Sequence, residues 1–168
     1  MKKSHSLIAL SLLVVTTALS WGAPVNPTPA PAWTLKDVNG ASVSFDQFKG
    51  KVVVVDFWAT WCPPCRVEIP GYIELQKKYE KEGLVIIGMS VDAQGAGVVK
   101  KFMEAHGINY QIVMADEAVQ QAFGGAEPIT GIPTTFIIDR AGNIRDRKVG
   151  AEATESFEAR LLQYLDAK

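Results

Sequence analysis

Val55-Asp56-Phe57-Trp58-Ala59-Thr60-Trp61-Cys62-Pro63-Pro64-Cys65 is the stretch on which the reading of this chain turns. It completes a run from Lys51 to Trp58 of β-branched and aromatic residues. Such a run marks a strand buried on both faces, hence a central and parallel one. Two cysteines follow at once, three positions apart, with two prolines between them. Proline suits the first turn of a helix, where its missing N–H costs little. The cysteines are therefore expected at a strand-to-helix junction, opening a helix from about Pro63 to Glu82 that Pro70 kinks.

That junction has a chemical logic. Cys62 falls near the helix N-cap, where unpaired backbone N–H groups and the helix dipole favour an anion, so its thiolate is stabilised. Cys65, one turn on, is close enough to attack the Cys62 sulfur and is expected to lie deeper. Two-step exchange follows: Cys62 forms a mixed disulfide with a client and Cys65 resolves it. Pro63 and Pro64 restrict the loop and tune its potential, in a direction the sequence leaves open. These are the only two cysteines of the chain, so neither is left to cross-link a long loop, the usual employment of cysteine in an exported protein. A bare Cys-x-x-Cys also reads as half a zinc site, but zinc takes two further Cys or His ligands. Apart from His5, the sole histidine is His106.

Upstream, Lys2 and Lys3 precede an uncharged stretch from Leu7 to Ser20 rich in Leu, Val and Ala. This is the basic and then apolar pattern of a secretory signal, with cleavage sites after Ser20 or after Gly22. The alternative is an uncleaved anchor over residues 7–25, 19 residues long and within the roughly 17–25 that span hydrocarbon. Residues 1–22 are thus a signal peptide or a membrane anchor, and on either reading the rest lies on the far side of a membrane, periplasmic or extracytoplasmic. No cysteine stands directly after the apolar run, which excludes a bacterial lipid anchor. Without the first 20 residues, 15 basic face 18 acidic side chains, and no basic patch marks a nucleic-acid partner.

Residues 23–32, with Asn26-Pro27-Thr28-Pro29-Ala30-Pro31, read as a proline-rich extended spacer. The domain, 33–168, opens with a hairpin turned at Asp37-Val38-Asn39-Gly40. A helical turn at Phe45 to Phe48 and the Lys51 strand come next, then the cysteine helix and a second buried strand from Leu84 to Val91. Gln94 to His106 is a helix stopped by Gly107, Tyr110 to Ala115 a short strand and Glu117 to Phe123 a short helix. Thr134 to Asp139 and Ile144 to Val149 form a last hairpin, and Glu155 to Leu165 a closing amphipathic helix. This order predicts an α/β fold: a central mixed sheet flanked by helices, with an N-terminal β-hairpin and a central βα insert.

Taken together, Phe57-Trp58-Ala59-Thr60-Trp61-Cys62-Pro63-Pro64-Cys65, the kinked helix and the later Gly131-Ile132-Pro133-Thr134 resemble the thioredoxin superfamily. The hairpin, Trp61-Cys62-Pro63-Pro64-Cys65-Arg66-Val67-Glu68-Ile69-Pro70 and the insert around Ala93 to Asp116 are more narrowly similar to its exported TlpA/ResA-like branch, often described as redoxin domains. The resemblance implies a thioredoxin-like fold, protein-disulfide reductase activity and no bound cofactor. It also implies clients that carry disulfides, a membrane electron-donor protein, and cytochrome c maturation as the best-known setting.

The same resemblance assigns further residues. Pro133 matches the family's cis-proline opposite the cysteines; the residue before it, Ile132, presents backbone to a client peptide. Asp56 interrupts four valines of a buried strand, where a lone carboxylate is costly and tends to stay protonated. It matches the buried acid of thioredoxins behind the second cysteine; the plainer alternative is a carboxylate paired with Lys77 or Lys78. Glu68, one turn after Cys65, matches an acid that helps control thiol pKa in the exported branch, with an exposed helix acid as the alternative. Trp61 is expected to flank the active-site surface and Trp58 to lie in the core. Two rival functions stand beside exchange. A thiol peroxidase of the redoxin group places Thr three residues before its reactive Cys, where this chain has Ala59. A copper-delivery protein could use Cys62, Cys65 and His106.

Overall fold

β4, Val52–Trp58, runs through the middle of the sheet with all seven residues buried, in a computed structural model that describes residues 28–166. The expected signal or anchor at 1–22 and the first part of the spacer lie outside the described residues. Among the described residues no helix is long and apolar enough to cross a membrane.

The elements follow in the order β1 Thr28–Pro29, β2 Thr34–Lys36, β3 Ser42–Ser44, β4, α1 Pro63–Tyr79, β5 Leu84–Ser90 and α2 Ala96–His106. Then come β6 Gln111–Met114, α3 Glu117–Gly124, β7 Thr134–Ile138, β8 Asn143–Val149 and α4 Thr154–Leu165. The main sheet has the order β1-β8-β7-β4-β5-β6, with β2 and β3 forming a separate hairpin. The continuous apolar run predicted a parallel β4. It is parallel to β5 but antiparallel to β7, because the chain returns to the sheet centre through the last hairpin. Burial on both faces, not strand direction, is what the run of valines encodes.

Alternation along β4 divides the core. Val52, Val54 and Trp58 face a layer made by α1, α2 and α4, where Ile69, Tyr72, Leu75, Val99, Phe157 and Leu161 are buried. Val53, Val55 and Phe57 face the hairpin and α3, packing with Trp33, Leu35, Val43, Val119 and Phe123. Each such side chain contributes about 1.5–3 kcal/mol of transfer free energy on burial. Gln76 locks α1 to the sheet, donating to the Leu84 carbonyl at 3.3 Å and accepting from the Ile86 N–H at 2.7 Å. The hairpin turn is built as its residues predict. Asp37 Oδ1 accepts from the N–H groups of Asn39 and Ala41, each at 2.8 Å, and Gly40 takes the positive φ of 84° that the turn requires.

The spacer expectation needs correction. Thr28 and Pro29 pair with Ile144 and Asn143 of β8, and the Ala30 N–H donates to the Gly142 carbonyl at 2.8 Å. The sheet therefore begins inside the stretch expected as a linker and before the boundary expected at residue 33. Proline is tolerated there because β1 is an edge strand. The predicted helix start at Gln94 also moves. Gly95, at φ 83°, occupies the N-cap of α2, so the helix begins at Ala96.

Candidate active site

β4 ends at Trp58, and the turn that follows brings Cys62 to the N-cap of α1, with prolines at the first helical positions. Cys62 Sγ accepts from the Cys65 N–H at 3.3 Å, which satisfies one of the free donors at the helix start. Cys62 and Cys65 form a disulfide with their Cα atoms 5.3 Å apart. The two cysteines were expected at different depths, but they are equally enclosed, 3% and 2% exposed. What separates them is their surroundings. Cys62 Sγ lies 3.7 Å from the carbonyl oxygen of Ile132, and the Ile132–Pro133 peptide bond is cis. Cys65 shares the buried side of α1 with Glu68 and Tyr72.

Asp56, 4% exposed, points from β4 toward the same layer. It takes neither Lys77, which is exposed, nor Lys78, which pairs with Glu158 at 2.7 Å. Its partner is the Thr135 hydroxyl, which donates at 3.3 Å and lies 3.2 Å from the Tyr72 hydroxyl. Burial pushes the Asp56 carboxyl from 3.8 up to about 8; the Glu68 carboxylate adds to the rise and the Thr135 bond opposes it. Glu68 is not the exposed helix acid of the alternative reading: it is 5% exposed. Its Oε1 accepts from the Glu152 N–H at 2.9 Å, while its Oε2 is buried without a partner. Burial pushes Glu68 up to about 7; the bond from Glu152 pulls it back, the Glu152 carboxylate raises it, and Lys148 and Arg160 lower it. Burial also holds the Tyr72 and Tyr110 phenols well above their usual value, with Asp56 and Glu68 adding to it. Asp56 and Glu68 are thus two buried carboxyls, each held above the usual carboxylate range chiefly by burial.

Trp61, next to Cys62 in the chain, is 58% exposed. Trp58 is buried. Arg66 lies over the Phe102 ring at 5.6 Å, and His106 stacks on the same ring at 3.8 Å. The His106 Nδ1 is 2.9 Å from the Phe102 carbonyl oxygen, at the end of α2.

One residue of the site gave no signal of spacing or motif. Asp92, two residues after β5, is buried and holds the turn before Cys62. It accepts from the Thr60 N–H at 2.9 Å, the Thr60 hydroxyl at 2.6 Å and the Ser90 hydroxyl at 2.9 Å. An acid two residues beyond a largely apolar strand was the only available hint.

A disulfide-bonded cysteine pair at a helix N-terminus on this mixed sheet, facing a cis-proline, defines a thiol–disulfide oxidoreductase of thioredoxin-like fold. Comparison with known proteins agrees. Residues 27–147 match the model of the AhpC/TSA family. The thiol-disulfide oxidoreductase ResA of Bacillus thuringiensis (strain Al Hakam) is 32% identical over 132 residues, 79% of this chain and 74% of that protein. The thioredoxin-like protein YneN of Bacillus subtilis (strain 168) is 32% identical over 133 residues, 79% of this chain and 76% of that one. A crystal structure of a thiol:disulfide interchange protein, thioredoxin family protein, from Chlorobium tepidum TLS has a TM-score of 0.79 at 39% identity, covering 85% of this chain and 99% of that one. The chain belongs to the AhpC/TSA family.

Proposed function

We propose that this chain is an exported protein-disulfide reductase of TlpA/ResA type, working outside the cytoplasm on clients that carry disulfides. The reading rests on one observation above all: Cys62 Sγ sits at the N-cap of α1, bonded by the Cys65 N–H and turned toward the Ile132 carbonyl. In the reduced state the Cys62 thiolate, favoured by the helix N-terminus, attacks a client disulfide. A Cys62–client disulfide forms and the first client thiolate leaves. Cys65 then gives its proton to a carboxylate behind it, and its thiolate attacks Cys62 Sγ. The Cys62–Cys65 disulfide closes and the second client thiolate departs. Asp56 and Glu68 are the candidate acceptors, while Trp61, Ile132 and Pro133 meet the client.

A membrane electron-donor protein is needed to restore the dithiol after each turn, because the reaction leaves the pair oxidised. The TlpA/ResA-like resemblance favours cytochrome c maturation as the setting. The N-terminal basic and apolar segment supports export, either as a cleaved signal or as a tether.

The test of the two roles is Cys65→Ala, which accumulates covalent client complexes through Cys62 that dithiothreitol releases. If that variant traps nothing while the unmodified protein is active, the assignment of roles is wrong. Direction is read from the equilibrium potential of the pair against glutathione. Proteins of this fold span roughly −270 to −120 mV, and a value near the oxidising end would overturn the reductase reading. Hydrogen peroxide consumption as fast as disulfide exchange would instead favour a peroxidase, against Ala59 at the position where that chemistry uses Thr.

A further inference from the structure

The segment joining β8 to α4 touches both halves of the site at once. The Gly150 N–H donates to the Pro133 carbonyl at 2.9 Å, and two residues on the Glu152 N–H donates to Glu68 Oε1 at 2.9 Å. The Glu152 carboxylate is paired with Arg160, which bonds Glu152 Oε1 with one guanidinium nitrogen and Asp146 Oδ2 with the other, the latter at 2.5 Å. The next residues are pressed onto α1: a Cβ added to Gly71 would lie 2.2 Å from Thr154 Oγ1. Glu152 therefore does two opposed things. Its backbone N–H favours the ionised Glu68 carboxylate, and its own negative charge disfavours it, to the extent that Arg160 leaves that charge unbalanced.

We propose that Glu152 and Arg160 are positioning residues for the resolving step, holding Glu68 as the proton acceptor of Cys65 through the Glu152 N–H and the Arg160–Glu152 ion pair. The inference rests on the reading of Glu68 as an acceptor given above. In the step concerned, the Cys65 S–H bond breaks and its proton passes to Glu68. The thiolate forms the S–S bond to Cys62, the Cys62–client bond breaks, and the client sulfur leaves as a thiolate that is later protonated. The client disulfide is the oxidant and is reduced to two thiols. The groups facing Glu68 are Asp56 from β4, Tyr72 from α1, Tyr110 ahead of β6, Lys148 from β8, Glu152 and Arg160. Because Glu152 acts in two senses, its variants move Glu68 in opposite directions, which a purely structural residue does not do.

The experiment uses the whole chain, reduced, with two readouts. The carboxyl ¹³C shift of Glu68 is followed against pH, and so is the second thionitrobenzoate released from Ellman's disulfide, which reports Cys65 attack after Cys62 has reacted. Glu152→Ala removes the like charge and keeps the N–H, so the Glu68 midpoint falls. Arg160→Met frees the Glu152 charge and removes a cation, so the midpoint rises. Glu152→Pro lacks both charge and N–H, and lies above Glu152→Ala by about one pH unit, the size of a hydrogen bond to a charged group. If the proline variant does not fold, the opposed shifts of the other two decide. The proposal is overturned if Glu152→Ala and Arg160→Met shift the midpoint in the same direction or leave it in place, while Glu68→Gln removes the ionisation from the second release. If Glu68→Gln leaves that profile untouched, Glu68 is not the acceptor and the underlying reading falls with it.

Discussion

Cys62 Sγ lies 3.7 Å from the carbonyl oxygen of Ile132, the residue whose peptide bond to Pro133 is cis. Cys65, at the same depth, shares the buried side of α1 with Glu68 and Tyr72. Depth therefore does not distinguish the sulfurs; their surroundings do.

The first expected outcome concerns that difference. With limiting iodoacetamide near neutral pH, the reduced protein is alkylated at Cys62 before Cys65, because the N-cap favours the thiolate of the first and the acids disfavour that of the second. Peptide mapping at partial modification checks it. Equal labelling of the two cysteines would contradict the electrostatic account.

Asp56 gives a prediction in pH. Its carboxyl titrates at 3.8 when free and at about 8 when buried. Between those values the folded state binds more protons than the unfolded one, so the contribution of Asp56 to stability is lost as pH rises. Asp56→Asn is expected to match the unmodified oxidised protein near pH 4 and to exceed it by up to several kcal/mol near pH 8, an upper bound from about 1.4 kcal/mol per unit. Urea unfolding at the two pH values reads the gap, and a gap that does not widen would refute the prediction.

Asp92→Ala leaves the Thr60 N–H and hydroxyl without their acceptor. The cost is about 1–3 kcal/mol, and the turn before Cys62 is loosened. A lower melting temperature together with slower Cys62 attack on Ellman's disulfide is the expected result. Unchanged attack would mean that Asp92 only supports the fold.

How far the sequence revealed this site depended on whether the interaction was local. The buried strand, the cysteines at the helix start and the Asp37-Val38-Asn39-Gly40 turn declared themselves because burial, capping and turn chemistry are written within a few residues. Glu68 was ambiguous, since whether a helix acid is exposed depends on what covers it, here the segment after β8. Asp92 and Glu152 left almost no trace. One acts through a fold contact 32 positions away, the other through a backbone N–H that every residue but proline carries. β1 was hidden for the same reason, because two residues reading Thr-Pro become a strand only when β8 offers an edge.

Gly71 supplies a packing prediction. A methyl group there meets Thr154 Oγ1 at 2.2 Å and Cγ2 at 2.9 Å, so Gly71→Ala pushes the start of α4 away from α1. Overpacking of this kind costs about 1–3 kcal/mol. Thr154→Ala in the same chain should recover part of the loss, a non-additive pair that a double-mutant cycle detects. Simple additivity would show that the strain is absorbed elsewhere.

β1 joins β8 at Asn143 and Ile144, which lie level with Val53 at the opposite end of β4 from the cysteines. The seven residues of β4 span about 20 Å at roughly 3.3 Å per residue. A pull on the chain upstream of Thr28 would thus be borne by the lower rim of the sheet, with the dithiol at the other end of the lever.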